Sequence, residues 1–309
     1  MQLFAAYPDR VLVYDGDALR TDFEGDVQCL DAGPPGVFCG TSEGVYRRAD
    51  DDSGWTRAAD IGDVTALAVD ATGVWAGTGP SAVYRSDDGE TFAERPGLTD
   101  LPSEDSWAFP PRPSTHHVRW LEPTKERLYV AVEAGALVRT GDGGATWQDR
   151  VSSGPYDTHS MATHPDHPNL AYSAAGDGFY VTEDGGDSWH TEETGLDRTY
   201  CWSVVCDPGD PERLLLSAAF GARSAHTASS ADSAAFRRVD GEWERCEELP
   251  GGEGVLAPVF TTANDPGEAY AATNHGLYRT DDWGASFEQL PGEWPGALES
   301  ERATGLVVR

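Results

Sequence analysis

TGDGGATW (residues 140–147) sets a hydroxyl residue, an aspartate and two glycines directly ahead of one large aromatic. The phrase returns as TEDGGDSW (182–189) and as TDDWGASF (280–287), each time closing a longer unit of fixed order. These units are VRWLEPTKERLYVAVEAGALVRTGDGGATW (118–147), HSMATHPDHPNLAYSAAGDGFYVTEDGGDSW (159–189) and APVFTTANDPGEAYAATNHGLYRTDDWGASF (257–287). In each, a short apolar strand leads through a Pro/Asp/Asn turn to a second strand. A Gly-containing turn, a third strand and the Asp phrase follow, and the aromatic opens a fourth strand. Polarity alternates over short stretches, which is a β pattern, and no long 3.6-residue period competes with it.

Weaker copies fill the intervals. VTALAVDATGVWAGTGPSAVYRSDDGETF (64–92) is one residue short in the Asp phrase, and VQCLDAGPPGVFCGTSEGVYRRADDDSGW (27–55) has lost the paired glycines. The stretch 201–243 carries an insertion and a degenerate phrase. Units of about 40–50 residues point to a propeller or solenoid. The chain ends supply one more unit. ATGLVV (303–308) reads as a first strand without the other three, and LFAAYP, RVLVYDG and ALRTDF read as three strands without a first. Joined, they remove the exposed edges of an all-β fold. The expected fold is an all-β, seven-bladed β-propeller of four-stranded antiparallel blades, one domain over 1–309, with its ring closed by the C-terminal strand pairing with the N-terminal strands.

The phrase resembles the Asp-box of the BNR-repeat, sialidase-like propeller family, S/T-x-D-x-G-x-T/S-W/F. Thr140, Asp142, Gly144, Thr146 and Trp147 match it, as do Thr182, Asp184, Gly186, Ser188 and Trp189, and Thr280, Asp282, Gly284, Ser286 and Phe287. Asp88 holds the same place in the shorter copy. Aspartate accepts local backbone N–H groups, glycine supplies positive φ, and the aromatic is expected to plug a seam between blades. These aspartates are therefore read as structural; in separate blades they cannot converge on a metal. Photosystem II assembly propellers share the resemblance at the level of the Asp-box alone.

Charge is the dominant compositional signal. Asp and Glu total 53 against 22 Lys and Arg, and the net charge is −31. Such a surface repels itself in dilute buffer, whereas a Debye length of about 3 Å at 1 M salt removes the penalty. The expectation is a host with a molar-salt cytoplasm. The same charge excludes nucleic acid and anionic membranes as partners. No apolar run approaches the ~18 residues of a membrane span, and MQLFAAYPDRVLV lacks the features of a secretory signal, so a cytoplasmic location is expected. The five cysteines show no zinc spacing and read as reduced thiols, with Cys29 and Cys39 placed to face each other across a hairpin.

The resemblance puts the Asp-boxes on one rim with the tight turns between first and second strands, so that His164 and His167 read as surface turn residues. Ligands are expected on the opposite rim. The two longest irregular segments, 99–117 and 220–233, both fall there, where function is often carried. The same rim collects His117, Arg119, Glu133, Asp157, His159, Arg198, Tyr200, His226, His275 and Arg302, which form the expected ligand-binding funnel, with His116, Asp177, Trp202 and Asn274 beside them. His117/Arg119 and Asp157/His159 share an i, i+2 spacing and so project from one strand face.

Three functional readings follow. One is a binding or scaffold propeller that grips an unknown protein or carbohydrate in this funnel. The second is a carbohydrate-active enzyme, hydrolase or lyase, acting on an anionic sugar, with Asp157, Tyr200 and Glu133 as catalytic candidates. The Arg-Ile-Pro motif that sialidases carry near the first blade is missing, and the first full unit opens VQCLDAG. The third is a divalent-metal site built from His117 and His159, with His226 or His275 and Glu133. No other cofactor is expected.

Overall fold

Seven antiparallel sheets make up the computed structural model, which describes residues 1–48, 54–108 and 115–309. Residues 49–53 of the degenerate first phrase and 109–114 of the long 99–117 segment lie outside the described residues. Blade 1 joins both chain ends in the order Gly305–Val308, Leu3–Tyr7, Arg10–Tyr14, Leu19–Glu24. Blade 2 runs Val27–Gly33, Gly36–Thr41, Gly44–Arg48, Trp55–Ala59, and blade 3 runs Val64–Asp70, Gly73–Thr78, Val83–Ser86, Ala93–Glu94. Blade 4 has Val118–Pro123, Leu128–Val132 and Ala136–Thr140, with its outer strand reduced to an Arg139–Gln148 bridge. Blade 5 is Thr158–His164, His167–Ala175, Gly178–Thr182, His190–Thr191. Blade 6 is Tyr200–Asp207, Asp210–Ala219, Asp232–Val239, Glu242–Arg245, with Gly252–Glu253 added on Asp232–Ser233. Blade 7 is Val259–Thr262, Ala269–Thr273, Gly276–Thr280, Glu288–Gln289. The innermost strands touch in cyclic order from blade 1 through blade 7 and back to blade 1. The closure expected from the chain ends is thus observed, with Phe4 opposite Val307 and Ala5 opposite Leu306.

The core is divided among the seams. Each of the seven seams holds its own buried apolar cluster. The aromatic of each Asp phrase enters the seam shared with the preceding blade: Trp147 between blades 3 and 4, Trp189 between 4 and 5, Phe287 between 6 and 7. Trp55, Phe92 and Trp243 do the same where the phrase is degenerate. The rest of the phrase is a hydrogen-bonded knot. Asp184 Oδ1 accepts the Ser188 N–H at 2.9 Å, its Oδ2 accepts the Ser188 hydroxyl at 2.6 Å, and Thr182 Oγ1 accepts the Gly186 N–H at 2.9 Å. Asp142 and Asp282 repeat these bonds with Thr146 and Ser286. In Asp142 and Asp184 the hydroxyl first, then the backbone N–H, holds the carboxyl down at about 2. Gly186 has φ 91°, a conformation that favours glycine, and a Cβ there would displace the tip of the Arg139 side chain of blade 4, 2.7 Å away.

Trp189 is 7% exposed and meets Tyr129 edge-on at 6.3 Å, whereas Trp147 is only half-buried. Trp189→Ala is therefore expected to cost about 3–5 kcal/mol in urea unfolding, and Trp147→Ala distinctly less. Equal losses would show that the aromatic does not act through burial in the seam.

The structure corrects two smaller expectations. Cys39 pairs with Leu30 and Cys29 with Gly40, because the two-residue turn at 34–35 sets Gly33 opposite Gly36 and the strands keep that register as far as Cys29. The two thiols consequently enter different seams, although both are buried and free. His164 is not a surface residue: it is 6% exposed, with Nε2 at 3.1 Å from the Pro208 carbonyl of blade 6, while His167 is exposed as expected.

Candidate functional site

Five innermost strands carry a β-bulge at the same place. Register jumps from Val27 to Cys29, Val64 to Ala66, Val118 to Trp120, Thr158 to Ser160 and Cys201 to Ser203. The extra residues are Gln28, Thr65, Arg119, His159 and Trp202. A bulge leaves its extra residue outside the ladder and re-aims it, and here all five line the bore. They also tie neighbouring blades together. Thr65 Oγ1 donates to the Val118 carbonyl at 2.7 Å, and His159 Nδ1 donates to the Cys201 carbonyl at 2.7 Å. In both cases the acceptor immediately precedes the next blade's bulge.

The bore has two chambers that share Arg119, Trp202, Arg302 and Thr304. The chamber on the rim opposite the Asp-boxes has a volume of about 490 Å³ and is lined by His117, Arg119, Glu133, Asp157, Tyr200, Trp202, His226 and Arg302 among others. His159 is fully buried beneath it. Arg198 and His275 are not among the residues lining either chamber. Arg198 is held by Asp197 and Asp232 at 2.8 and 2.7 Å and lies over Phe220; His275 Nε2 lies 3.1 Å from the Gly254 carbonyl. His116 turns to Glu104 and to the edge of Trp107. The 220–233 insertion folds into the helix Ala222–His226 and delivers His226 to the funnel.

Trp202 is the hub. The guanidinium carbons of Arg302 and Arg119 lie 3.8 and 4.7 Å from its ring centre, and the rings of His159 and His226 both lie at 4.4 Å. Arg119 Nε meets Glu133 Oε2 at 3.3 Å, while Arg302 makes no ion pair with any described residue. Burial, then the Arg119 charge, lowers Arg302 to about 9, so it stays charged at neutral pH. The Tyr200 hydroxyl sits between two imidazoles, 3.3 Å from His159 Nε2 and 3.1 Å from His226 Nε2. Burial, then Arg302, holds His226 down at about 3, and its buried Nδ1 has no hydrogen-bond partner. An orphan lone pair costs less than an orphan N–H, so the His226 proton belongs on Nε2, donating to Tyr200. Tyr200 then donates to His159, whose own proton goes to the Cys201 carbonyl. Asp157 Oδ1 accepts the Ala134 N–H at 2.9 Å, and Oδ2 lies 3.5 Å from His159 Nε2. Burial works against the Asp157 carboxylate, but His159, when its Nε2 also carries a proton, and the Ala134 N–H outweigh it and hold its pKa below the usual range. Glu133 is raised by burial, against the pull of Arg119.

The second chamber, about 390 Å³, is acidic. Asp31 accepts the Val69 N–H at 2.6 Å, and Glu122 accepts the Trp120 indole N–H at 3.0 Å and the Thr163 hydroxyl at 2.8 Å. Burial pushes both carboxyls up to about 7. A carboxyl raised on folding ionises more readily in the unfolded chain, so stability falls as pH rises from about 4.5 to about 7. Glu122→Gln is expected to melt above the parent protein at about pH 8 and level with it near pH 4. A stabilisation that did not vary with pH would contradict the buried-acid account.

No family model and no curated protein sequence matches the chain. Solved structures do. The GH74 xyloglucanase from Xanthomonas campestris superposes with a TM-score of 0.65 at 14% identity, over 97% of this chain and 52% of that one. An ancestral GH74 enzyme gives 0.63 at 16%, over 90% and 37%. YCF48 bound to D1 peptide gives 0.60 at 16%, over 92% and 86%. The chain thus spans a third to a half of the GH74 enzymes it resembles, and most of YCF48. At these identities the likeness establishes the fold. The protein is a seven-bladed β-propeller resembling GH74 enzymes and YCF48. Among its described residues no helix is long and apolar enough to cross a membrane.

Sequence reading missed Trp202 as the hub, and missed Gln28 and Thr65 altogether. The signal lay in one column of the aligned units, VQC, VTA, VRW, THS and CWS, where the middle residue breaks the alternation.

Proposed function

We propose that the propeller is a binding protein that receives an anionic segment of a partner protein in the funnel opposite the Asp-boxes. The observation that carries this reading is Arg302. It is a charged guanidinium over the Trp202 ring that makes no ion pair with any described residue and feels the Glu133 charge only from a distance, so a ligand carboxylate completes the site. YCF48, similar in fold and in length, is bound to a D1 peptide, which supports a peptide ligand for a propeller of this size. The test is fluorescence anisotropy with acidic peptides, free or amidated at the C-terminus, in molar KCl. Saturable binding is expected, weakened about tenfold or more by Arg302→Met, as loss of a charge-assisted bond implies. No binding, or binding unaffected by Arg302→Met, overturns the reading.

A second reading, an enzyme acting on an anionic sugar, is favoured by the Tyr200 hydroxyl clamped between two imidazoles, an arrangement suited to proton transfer. Acidic oligosaccharides incubated with the protein would then yield new ends. Tyr200→Phe and Asp157→Asn would each abolish the yield.

A further inference from the structure

The ligand proposed above leaves part of the funnel wall unexplained. Glu133, Asp157 and His159 bring one donor atom each into a group whose members all lie within 4.8 Å of one another. Their remaining contacts are poor. Glu133 Oε2 is buried and receives no hydrogen bond, only the 3.3 Å ion-pair contact from Arg119 Nε. His159 is fully buried, and its Nδ1–H is committed to the Cys201 carbonyl. In the neutral ring the Nε2 lone pair therefore faces Asp157 Oδ2 at 3.5 Å, and the Tyr200 hydroxyl reaches it only at a long 3.3 Å. Two carboxylate oxygens and an imidazole nitrogen thus converge on one volume, with Arg119 pairing Glu133 from one side.

From this geometry we infer that Glu133, Asp157 and His159 form a divalent-cation site in the wall of the funnel. The Nδ1–H bond to a backbone carbonyl is the second-shell contact that fixes a metal-bound imidazole in the right tautomer. The bulge that re-aims His159 and the Ala134 N–H that anchors Asp157 fix two of the three donors before any ion arrives. Two carboxylates and one imidazole suit Mn²⁺ better than a thiolate-seeking ion. His117, a sequence-level candidate for this role, lines the same chamber but is outside the triad, as are His226 and His275. Arg119 and Arg302 oppose the ion, so both carboxylates are needed to hold it. The inference is independent of the peptide reading, because it is tested with the metal alone.

The experiment uses full-length protein, stripped with chelator and kept in molar KCl to suppress loose binding to the acidic surface. Mn²⁺ is titrated by calorimetry and followed by electron paramagnetic resonance. The expected result is one saturable site with nitrogen coupling from a single imidazole. Its Kd should weaken about tenfold or more in Asp157→Asn and in Glu133→Gln, and stay unchanged in His275→Gln. The near-isosteric carboxylate variants are chosen because truncating the fully buried His159 endangers folding, and thermal melts check each variant. No saturable site, a bound ion without nitrogen coupling, or an unchanged Kd in both carboxylate variants overturns the proposal; in the last two cases the ion sits elsewhere, and in the first His159 and Asp157 are a simple ion pair.

Discussion

Removing residues 303–309 is expected to abolish the cooperative melt of the full chain. The strand Gly305–Val308 is the innermost of blade 1 and pairs along its length with Leu3–Ala6. Bonds between Gln2 and Arg309 and from the Thr304 N–H to the Ala6 carbonyl extend the ladder at both ends. Leu306 and Val307 are 5% and 6% exposed and belong to two different seams. Burying two such side chains is worth about 2 kcal/mol each, and each ladder bond adds about 1 kcal/mol net. Their sum approaches the ~5–15 kcal/mol that separates a typical folded domain from its unfolded state. The deletion also exposes Leu3–Tyr7 as a long apolar edge that invites aggregation. Calorimetry and size-exclusion chromatography of the truncated chain provide the check. A sharp transition within a few degrees of the parent would mean that the ring holds without its clasp.

The second large effect is that of salt. With 53 acidic and 22 basic residues, 31 negative charges have no basic counterpart in the chain. Two electrostatic terms respond to KCl in opposite directions. Ion pairs such as Arg279–Glu268 and Arg238–Glu212 weaken, but exposed pairs are worth at most about 1 kcal/mol each. Repulsion among the uncompensated carboxylates is summed over the whole surface and is screened as the Debye length falls to about 3 Å at 1 M. Repulsion wins, so the melting temperature is expected to climb between dilute buffer and molar KCl. A relief of several kcal/mol corresponds to a shift on the order of 10 °C. A protein that melts higher in dilute buffer would sink both this argument and the expectation of a molar-salt host.

How much of this was legible beforehand depends on whether a feature repeats. The Asp phrase was readable because TGDGGATW, TEDGGDSW and TDDWGASF demand the same turn and the same seam aromatic. The clasp was readable because ATGLVV lacks partners and LFAAYP lacks a first strand. The rim assignment followed from the Asp-box resemblance together with chain direction, and His117, Arg119, Glu133, Asp157, Tyr200, His226 and Arg302 do line one chamber. Side-chain direction within the rim did not follow. Arg198 precedes its strand by two residues and is captured by Asp197 and Asp232, neither of which alternation identifies as a partner. Trp202 read as a residue beside the funnel and not as its hub, because a bulge changes where a side chain points without changing which residue types appear.

That shared bulge bears on how such a molecule diversifies. Gln28, Thr65, Arg119, His159 and Trp202 differ in size, charge and chemistry, yet occupy the same slot in five successive blades. Because the slot stands outside the ladder, its occupant is not constrained by a cross-strand neighbour. Five codons, one per blade, can therefore be rewritten by mutation to alter what the wheel holds, while the spokes keep their pairing.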